Sequence, residues 1–370
     1  MQTKSKLRFD PNSPQIQAYL DDVHNNTFTN QGTMAAFPTC LPGMTIQIPR
    51  DECHITALTA LPDGTVYGAT SGRRSHLFMA SLHRLNGIVL DLGTAAGATR
   101  GAAVCATDAS FFAFVNGPRG GRVISAPLLD LAPQDMIQEW SFERPELTDR
   151  GECVPGEAVV HAVLDASRKI IVGLTTRHIF TLDAASFKVR VVADAPGSGR
   201  IAVASRGGIF GRDEGAALWR YDPASQSLER RAVKLPEGFG DQPLLWATDR
   251  HSGVLYTADA QGTLYSFDES QGFSGPLGRA LLAPVGPMAV TFDGRVFGFC
   301  GDEMAKMFCY DPAARTVANL GVAVSILERR RYGYVFGDAV TGRDGEIIFG
   351  EDDDGGHVWM YFPRIRGARA

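Results

Sequence analysis

The amino-acid sequence predicts an all-β protein built as a seven-bladed β-propeller of four-stranded antiparallel blades. Three observations carry this prediction: short apolar segments of strand length, glycine-containing turns between them, and recurrence of the whole pattern about every fifty residues. Strands this short cannot bury their faces alone, so successive sheets must pack on one another, and a radial ring closes that packing. The arithmetic favours seven units and leaves six or eight open.

The repeat is clearest where a second strand joins a third strand through a glycine-containing loop. Copies of this segment occupy residues 68–79, 173–180, 211–219 and 350–359. Turn signals such as Asp-Gly separate the first strand of each unit from the second. After the unit that begins near His54, further units begin near Ala102, Ala158, Ile201, Leu244, Met288 and Tyr334.

The last unit has room for only three strands before about Phe362. We predict that an N-terminal strand at residues 45–49 completes it, so that the two ends of the chain share one sheet and leave no open edge. This assigns residues 1–44 to an irregular N-terminal leader, residues 45–363 to the propeller and residues 364–370 to a C-terminal tail.

Composition excludes some classes of partner. The net charge of −5 gives no bulk positive field for nucleic acid. No apolar run reaches the ~18 residues that a membrane span needs, and the first 20 residues lack the apolar core of a signal peptide. We therefore expect no nucleic-acid or membrane partner. The location is expected to be cytoplasmic, or secreted or periplasmic if a signal peptide has been removed.

The six cysteines show neither CxxC nor zinc-type spacing. Cys105, Cys300 and Cys309 lie in or beside apolar runs and are expected to pack as small hydrophobic side chains. A disulfide between Cys40 and Cys53 is an alternative in an oxidising compartment.

Three histidines occupy one place in the repeat, immediately before the third strand of units one, three and seven: His76, His178 and His357. Other units carry Ala217, Thr263 and Lys306 there. In one interpretation the position tolerates a histidine that hydrogen-bonds a neighbouring loop. In the other, the near-neutral pKa of imidazole serves acid–base catalysis or metal binding.

Units seven and one are neighbours in a closed ring, and their histidine-bearing loops are expected to open on one face. His54, His76 and His357 can therefore converge, and three imidazoles with an open position suit a divalent metal such as Ca²⁺ or Mn²⁺. We take His357 as the candidate metal ligand. The candidate acid–base residues are His54, His76, His161, His178, Tyr332 and Tyr334.

Arginines surround the same predicted mouth, where guanidinium groups can hold a carboxylate in bidentate fashion. Tyrosines beside them can exchange a proton or stack on a sugar ring. The alternative for the arginine run at 329–331 is a solvated loop paired with Glu328. The candidate substrate-binding residues are Arg73, Arg100, Arg177, Arg200 and Arg331.

Two further loops carry weaker signals. The acidic run at residues 351–354 offers oxygen ligands for Ca²⁺ but lacks the alternating spacing of an EF-hand, so a solvated loop is the alternative. The glycine-rich segment 117–122 lies between two strands, with no helix N-terminus to hold a phosphate. We interpret it as a loop.

The segments at residues 63–72, 76–78, 344–353 and 357–363 resemble a class of seven-bladed propellers. Some members of that class act on acidic polysaccharides, as lyases or as glycosidases that cleave next to a glucuronic acid. The resemblance spans residues 45–363 and implies histidine and tyrosine as base and acid, with arginine or a metal neutralising the uronate. The residues that can fill those roles are His54, His76, His161, His178, His357, Arg331, Tyr332 and Tyr334.

The leading hypothesis is a carbohydrate-active enzyme, a lyase that cleaves a uronic-acid-containing oligosaccharide or polysaccharide by β-elimination. Hydrolysis next to a glucuronic acid is the nearer alternative. A non-catalytic propeller that binds a glycan or a protein partner is the alternative from another class, because propellers serve both purposes.

Overall fold

The computed structural model describes residues 12–17, 32–38, 48–81, 88–129, 144–325 and 331–364. In this part the chain forms seven antiparallel sheets arranged as a ring. Helix is confined to residues 14–17 and a 3-10 turn at Arg50–Glu52. The predicted fold class, an all-β propeller with seven blades, is confirmed.

Blades 1 to 6 run in chain order from an inner strand beside the axis to an outer strand at the rim. The strands of blade 1 are His54–Ala60, Thr65–Ser71, His76–Ser81 and Ile88–Thr94. Those of blade 2 are Arg100–Ala106, Ser110–Gly117, Gly120–Pro127 and Thr148–Glu152. Those of blade 3 are Val159–Asp165, Ile170–Thr175, His178–Asp183 and Val189–Asp194.

The second half of the ring follows the same order. Blade 4 comprises Ala202–Val203, Ile209–Asp213, Ala217–Asp222 and Ser227–Lys234. Blade 5 comprises Ala247–Thr248, Leu255–Ala258, Thr263–Asp268 and Gly272–Arg279. Blade 6 comprises Val285–Val290, Val296–Cys300, Lys306–Asp311 and Thr316–Val324, with Tyr332–Gly333 as a short fifth strand.

Blade 7 comprises Phe336–Thr341, Ile347–Glu351 and His357–Pro363, and an N-terminal strand completes it. That strand is Gly32–Pro38, which pairs antiparallel with His357–Pro363 along its whole length. The closing segment predicted at residues 45–49 is therefore wrong. Ile48 and Pro49 belong to no strand, and residues 45–47 lie outside the described residues.

The side chains explain why the closing strand comes from the segment predicted as a leader. Met34 and Ala36 are fully buried in a cluster with Trp359 and Tyr361, and a Cβ at Gly32 would collide with the Tyr361 ring. Small residues thus let this strand lie against the aromatic third strand. Ile48 is also buried, but it packs between blades 7 and 1 without pairing as a strand.

Hydrophobic clusters fill the spaces between neighbouring blades. Tyr67 of blade 1 stacks on Phe111 of blade 2, with ring centroids 4.7 Å apart. Phe78 of blade 1 and Ile348 of blade 7 share the cluster that closes the ring. Burial of apolar surface between sheets is the main stabilising term in such a repeat. The predicted burial of three cysteines is confirmed for Cys105, Cys300 and Cys309; Cys40 lies outside the described residues.

A glycine in the second strand explains the most visible feature of the repeat. In blade 1 a Cβ at Gly68 would collide with the ring of Phe78 on the neighbouring third strand. The same relation holds between Gly173 and Phe180 in blade 3. Only glycine leaves room for the aromatic ring to lie across the second strand at this close approach. The glycine signal in the sequence therefore reports sheet packing.

Antiparallel order assigns every loop to a face of the ring. The loops that lead into inner strands and the loops between second and third strands open on one face, here called the mouth face. The turns between first and second strands open on the opposite face, here called the base face. Among the described residues, no helix is long and apolar enough to cross a bilayer.

The short N-terminal turn is anchored on the mouth face. Ser13 caps it by accepting a hydrogen bond from the Ile16 backbone at 3.1 Å, as expected for a serine before a proline-initiated helix. The Ser13 hydroxyl also donates to Glu303 in the second-to-third-strand loop of blade 6, at 3.0 Å. This contact ties a piece of the leader to the ring.

Candidate functional site

The histidine that begins the third strand of blade 1 is held between two carboxylates. His76 Nε2 lies 2.7 Å from Glu52 Oε2, and His76 Nδ1 lies 3.0 Å from Asp91 Oδ1. Burial opposes the charged imidazole, but the two carboxylates outweigh it and raise the pKa of His76. A ring that donates from both nitrogens has no lone pair with which to accept a proton, and only 4% of His76 is exposed.

Glu52 is the centre of this buried cluster. Arg74 donates to both of its carboxylate oxygens at 2.9 Å, and Arg73 lies 2.9 Å from Oε1. Burial raises the pKa of Glu52, but the hydrogen bonds from Arg74 and His76 outweigh it and lower the pKa to about 2. The carboxylate therefore stays ionised, and it fastens the second-to-third-strand loop to the turn before the inner strand.

Blade 3 repeats the arrangement. Glu157 lies two residues before its inner strand, as Glu52 does in blade 1. Arg177 Nη2 and His178 Nδ1 each lie 2.8 Å from Glu157 Oε1, and His178 Nε2 lies 3.3 Å from Asp194. Burial opposes ionisation of Glu157, yet bonds from Thr175, His178 and Arg177 lower its pKa to about 2.

Blade 7 builds a variant of the same clamp. Glu351 occupies the end of the second strand and accepts a hydrogen bond from the His357 backbone at 3.0 Å. His357 Nδ1 lies 2.9 Å from Glu351 Oε2, and Arg331 donates a hydrogen bond to the same carboxylate oxygen at 2.9 Å. Burial acts to raise the pKa of Glu351, but the hydrogen bonds and charges of His357 and Arg331 have the larger effect. The pKa of Glu351 is therefore lowered. The three equivalent histidines thus favour the interpretation in which the position bonds a neighbouring loop.

The partner predicted for the arginine run, Glu328, lies outside the described residues, and Arg331 binds Glu351 instead. Tyr332 pairs with Val324 in the short fifth strand of blade 6. The carbonyl of Tyr334 accepts a hydrogen bond from the Ala305 backbone. Both tyrosines are half-buried on this segment.

A different environment surrounds His54, at the start of the inner strand of blade 1. His54 Nδ1 lies 3.2 Å from Asp352, and His54 Nε2 lies 3.1 Å from Asp354. The hydrogen bond that His54 donates to Asp352 raises the pKa of His54 to about 9, against the opposing effect of burial. The side chain is 32% exposed, so solvent and small molecules reach this cation.

Asp353 lies between those two aspartates in the chain. Burial, followed by the charge of Glu351, raises the pKa of the Asp353 carboxyl to about 6. The acidic loop therefore contains a carboxyl with a pKa near 6, Asp353, between the two aspartates that hold the protonated His54 ring. We call the group formed by His54, Asp352, Asp353 and Asp354 the junction site, because it lies between blades 7 and 1 on the mouth face.

The sequence indicates the acidic loop as a calcium site or a solvated loop and does not predict the raised pKa of Asp353. The available signal was the run of four carboxylates in the same repeat segment that contains His357. Packing that segment against the turn before His54 creates the raised pKa, and spacing alone does not reveal that contact.

Metal binding finds no support in the geometry. Within residues 12–364, outside the undescribed gaps, no group of three or more His, Cys, Asp or Glu side chains is arranged to hold a metal ion. His54, His76 and His357 each face their own carboxylates instead of a shared point. A Ca²⁺ or Mn²⁺ site that includes His357 stays an untested prediction.

Two other predicted residues lie at the central channel. Arg200 precedes the inner strand of blade 4, and its guanidinium binds the Asp338 carboxylate and the Gly337 carbonyl of blade 7 on the opposite side of the axis. Asp338 also accepts a hydrogen bond from the Leu58 backbone at 2.7 Å. Arg200 therefore bridges the channel, and its charge is already matched by Asp338.

His161 lies in the channel wall on the inner strand of blade 3. The Ile201 backbone N–H donates to its Nδ1 over 3.4 Å. Burial, followed by the positive charge of Arg200, lowers the pKa of His161 to about 3. The ring is therefore neutral, and its proton is on Nε2, because Nδ1 accepts the hydrogen bond from Ile201.

The predicted substrate-binding arginines differ in what they bind. Arg73, Arg177, Arg200 and Arg331 are committed to carboxylates. Arg100, the first residue of the inner strand of blade 2, is exposed. Its guanidinium forms no ion pair with any of the described residues, so it is available for a ligand.

Comparisons with known structures support the fold. A streptogramin B lyase aligns with a TM-score of 0.65 at 10% identity, covering 91% of this chain and 99% of its own. Virginiamycin B lyase from Staphylococcus aureus aligns with a TM-score of 0.63 at 8% identity, covering 90% and 99%. The WD40 propeller domain of Doa1 aligns with a TM-score of 0.56 at 11% identity, covering 88% and 96%.

No protein-family model matches the chain, and no curated protein matches its sequence. At such low identity the structural likeness establishes the propeller and nothing of the chemistry. The propeller part of the resemblance seen in the sequence is confirmed. These aligned structures are not polysaccharide lyases, so they give no support to its carbohydrate part.

Proposed function

We propose that the protein is a lyase that cleaves a carboxylate-bearing glycan by β-elimination at the junction site. The observation that supports this most strongly is the acidic loop beside His54: Asp352 and Asp354 hold the His54 ring, and Asp353 lies between them in the chain. The pKa values of both groups are raised, to about 6 for Asp353 and about 9 for His54, so the first is ionised and the second protonated between those pH values, the states that a base and an acid need near neutral pH.

The chemistry assigns one role to each group. At pH 7 to 8 Asp353 is mostly a carboxylate, and it removes the proton from the carbon that bears the sugar carboxylate. The electron pair of that C–H bond forms a C=C bond as the bond to the leaving oxygen breaks. His54 is mostly protonated and donates its proton to that oxygen. The products are a free hydroxyl and an unsaturated uronate, and all atoms and charges balance.

A cation at the substrate carboxylate completes this proposal, because the developing negative charge would otherwise oppose proton removal. Arg100 is the candidate. The inner strands of blades 1 and 2 lie side by side, with Thr56 donating to the Gly101 carbonyl at 2.8 Å. Arg100 thus begins the strand next to the one that His54 begins, on the same face.

The buried histidines take supporting roles in this proposal. His76, His178 and His357 fasten loops of the mouth face and do not exchange protons with substrate. Tyr332 and Tyr334 stay as alternative proton donors to the leaving oxygen. Replacing His54 by Gln distinguishes these assignments, because activity that survives the change would move the acid role to a tyrosine.

The test is incubation with polygalacturonate and other uronic-acid polymers, followed by the ultraviolet absorbance of unsaturated uronate. We expect absorbance to rise with wild-type protein and to stay flat with Asp353→Asn. The matched control is Asp344→Asn, which removes an exposed carboxylate from a base-face turn. A type B streptogramin is a second substrate to include, since the named lyases share this propeller.

Other outcomes assign the protein differently. New reducing ends without absorbance would indicate hydrolysis and overturn the lyase proposal. Saturable binding of an acidic glycan without cleavage would indicate a non-catalytic propeller. Absence of both binding and cleavage for every uronic-acid polymer would remove the substrate class as well.

A further inference from the structure

The mouth face of blade 2 carries a second exposed arginine in the loop that follows the strand paired with Arg100. Arg100 pairs with Asn116 across the first two strands, and the second strand then ends at the loop that contains Arg119. Arg119 is exposed and has no ion pair among the described residues. Two exposed guanidinium groups without direct ion pairs to described residues thus lie on one blade of a chain whose net charge is −5.

A cavity opens beside these arginines. It has a volume of about 210 Å³ and is lined by residues 96–98 and 117–120, together with Val115 and Arg122. The two loops touch closely, because a Cβ at Gly117 would collide with the Gly97 carbonyl. Gly97 has a left-handed φ of +72°, which favours glycine, and no atom lies within 4 Å of the place that its Cβ would occupy. Glycine at position 117 therefore permits the close approach of the two loops that line the recess.

The charge at the cavity is positive. Arg122 donates to Asp149 at 2.9 Å, and its Nη1 is 3.9 Å from Glu152. Arg119 forms no ion pair with the described residues, and its charge acts on Asp149 only at longer range, where it helps to lower the pKa of that carboxyl. A carboxylate ligand that enters the recess meets this guanidinium and the backbone of a glycine-rich loop, and guanidinium binds carboxylate in two-point fashion.

We propose that this recess is a second carboxylate subsite, which holds another acidic sugar of the same chain while the junction site holds the reacting one. The inference rests on the proposed function and adds that the substrate is a polyanionic chain instead of a single uronic acid. Arg100 lies between the junction site and the recess, and it contacts the glycan chain that extends from one to the other. Neutral glycans bind neither cation.

The experiment measures equilibrium binding of a fluorescently labelled oligogalacturonate to the cleavage-deficient Asp353→Asn protein and to the same protein with Arg119→Gln. Loss of a charge-assisted hydrogen bond is worth ~1.5–3 kcal/mol, so we expect Kd to rise about 10- to 100-fold. Galacturonic acid as a monomer should compete equally with both proteins. A neutral dextran oligosaccharide should not bind.

The matched control is Arg206→Gln, an exposed arginine in a base-face turn of blade 4, and it should leave Kd unchanged. If Arg119→Gln binds the oligogalacturonate as tightly as this control, the subsite is refuted. Cleavage by wild type, with no effect of Arg119→Gln on binding, would refute the subsite and keep the lyase proposal. Tight, Arg119-dependent binding without cleavage would keep the subsite and refute the lyase. Absence of any binding would refute both.

Discussion

Two histidines on the mouth face of blade 1 lie between pairs of carboxylates, and their surroundings give them opposite characters. His76 is buried with Glu52 and Asp91, and two arginines complete the charge balance. His54 is a third exposed, and one of its partners, Asp354, is 81% exposed. The repeated histidine, His76, thus has a structural role in a buried and neutralised cluster. The candidate site is instead the partly exposed group around His54, where solvent reaches the charged side chains.

The largest effect should come from breaking the buried cluster with Glu52→Gln. Breaking one side of a buried ion pair leaves charges without partners, so we expect a loss of ~3–5 kcal/mol in unfolding free energy. Urea denaturation measures this loss. Glu229→Gln, on the exposed outer strand of blade 4, should change the unfolding free energy little. Equal stability of the two variants would contradict the structural role.

Asp353→Asn, unlike Glu52→Gln, should abolish activity without lowering the unfolding free energy. The folded state disfavours the ionised carboxyl, since its pKa is raised from 3.8 to about 6. Its ionisation therefore costs stability as pH rises from 3.8 through about 6, and the neutral amide avoids that cost. We expect unfolding free energy at pH 8 equal to or above wild type, together with loss of activity of ~10²–10⁴-fold. A large loss of stability would place Asp353 with the buried clusters.

The junction site and the buried cluster around Glu52 should also differ in how pH affects activity and stability. Activity should follow a bell with limbs near pH 6, where Asp353 gains its charge, and near pH 9, where His54 loses its proton. The stabilisation from His54 is fully present below about 6.5 and is lost as pH rises through about 9. That from Glu52 is present above 4.5 and is lost only as pH falls through about 2. A flat activity profile between pH 5 and 10 would argue against the junction site.

The smallest effect should distinguish the two copies of the buried clamp. His76 is almost sealed from solvent, whereas the His178 side chain is 27% exposed and its partner Asp194 is 90% exposed. Exposed ion pairs contribute ~0–1 kcal/mol. His178→Gln should therefore lower unfolding free energy less than His76→Gln does. The reverse order in urea denaturation would show that exposure does not control the strength of the clamp.

Much of the fold follows from the sequence because the repeat is a local signal. Recurring strand-length apolar segments and the turns between them predict antiparallel blades, whereas the packing of Phe78 on Gly68 and of Phe180 on Gly173 is seen only in the structure. The closing strand was predicted in the wrong place. Its identity depends on which segment fits beside Trp359 and Tyr361, and apolar content alone also describes Ile48.

The candidate site was only partly predictable. Sequence reasoning selected His54, but it weighted His76 and His178 equally because burial and carboxylate partners are long-range properties. Glu52 and Glu157 are 24 and 21 residues from those histidines, so spacing along the chain does not indicate that they are partners. Asp353 owes its raised pKa to Glu351 and to burial, which appear only when the loop is packed.

The most direct test of the central claim compares Asp353→Asn with Glu52→Gln in one assay of unsaturated uronate released per folded molecule at pH 7.5. The junction site predicts that Asp353→Asn releases almost none, while Glu52→Gln, once its unfolded fraction is subtracted, releases nearly as much as wild type. Full activity in Asp353→Asn, or complete loss in correctly folded Glu52→Gln, would contradict the assignment of chemistry to the junction and of structure to the buried clusters.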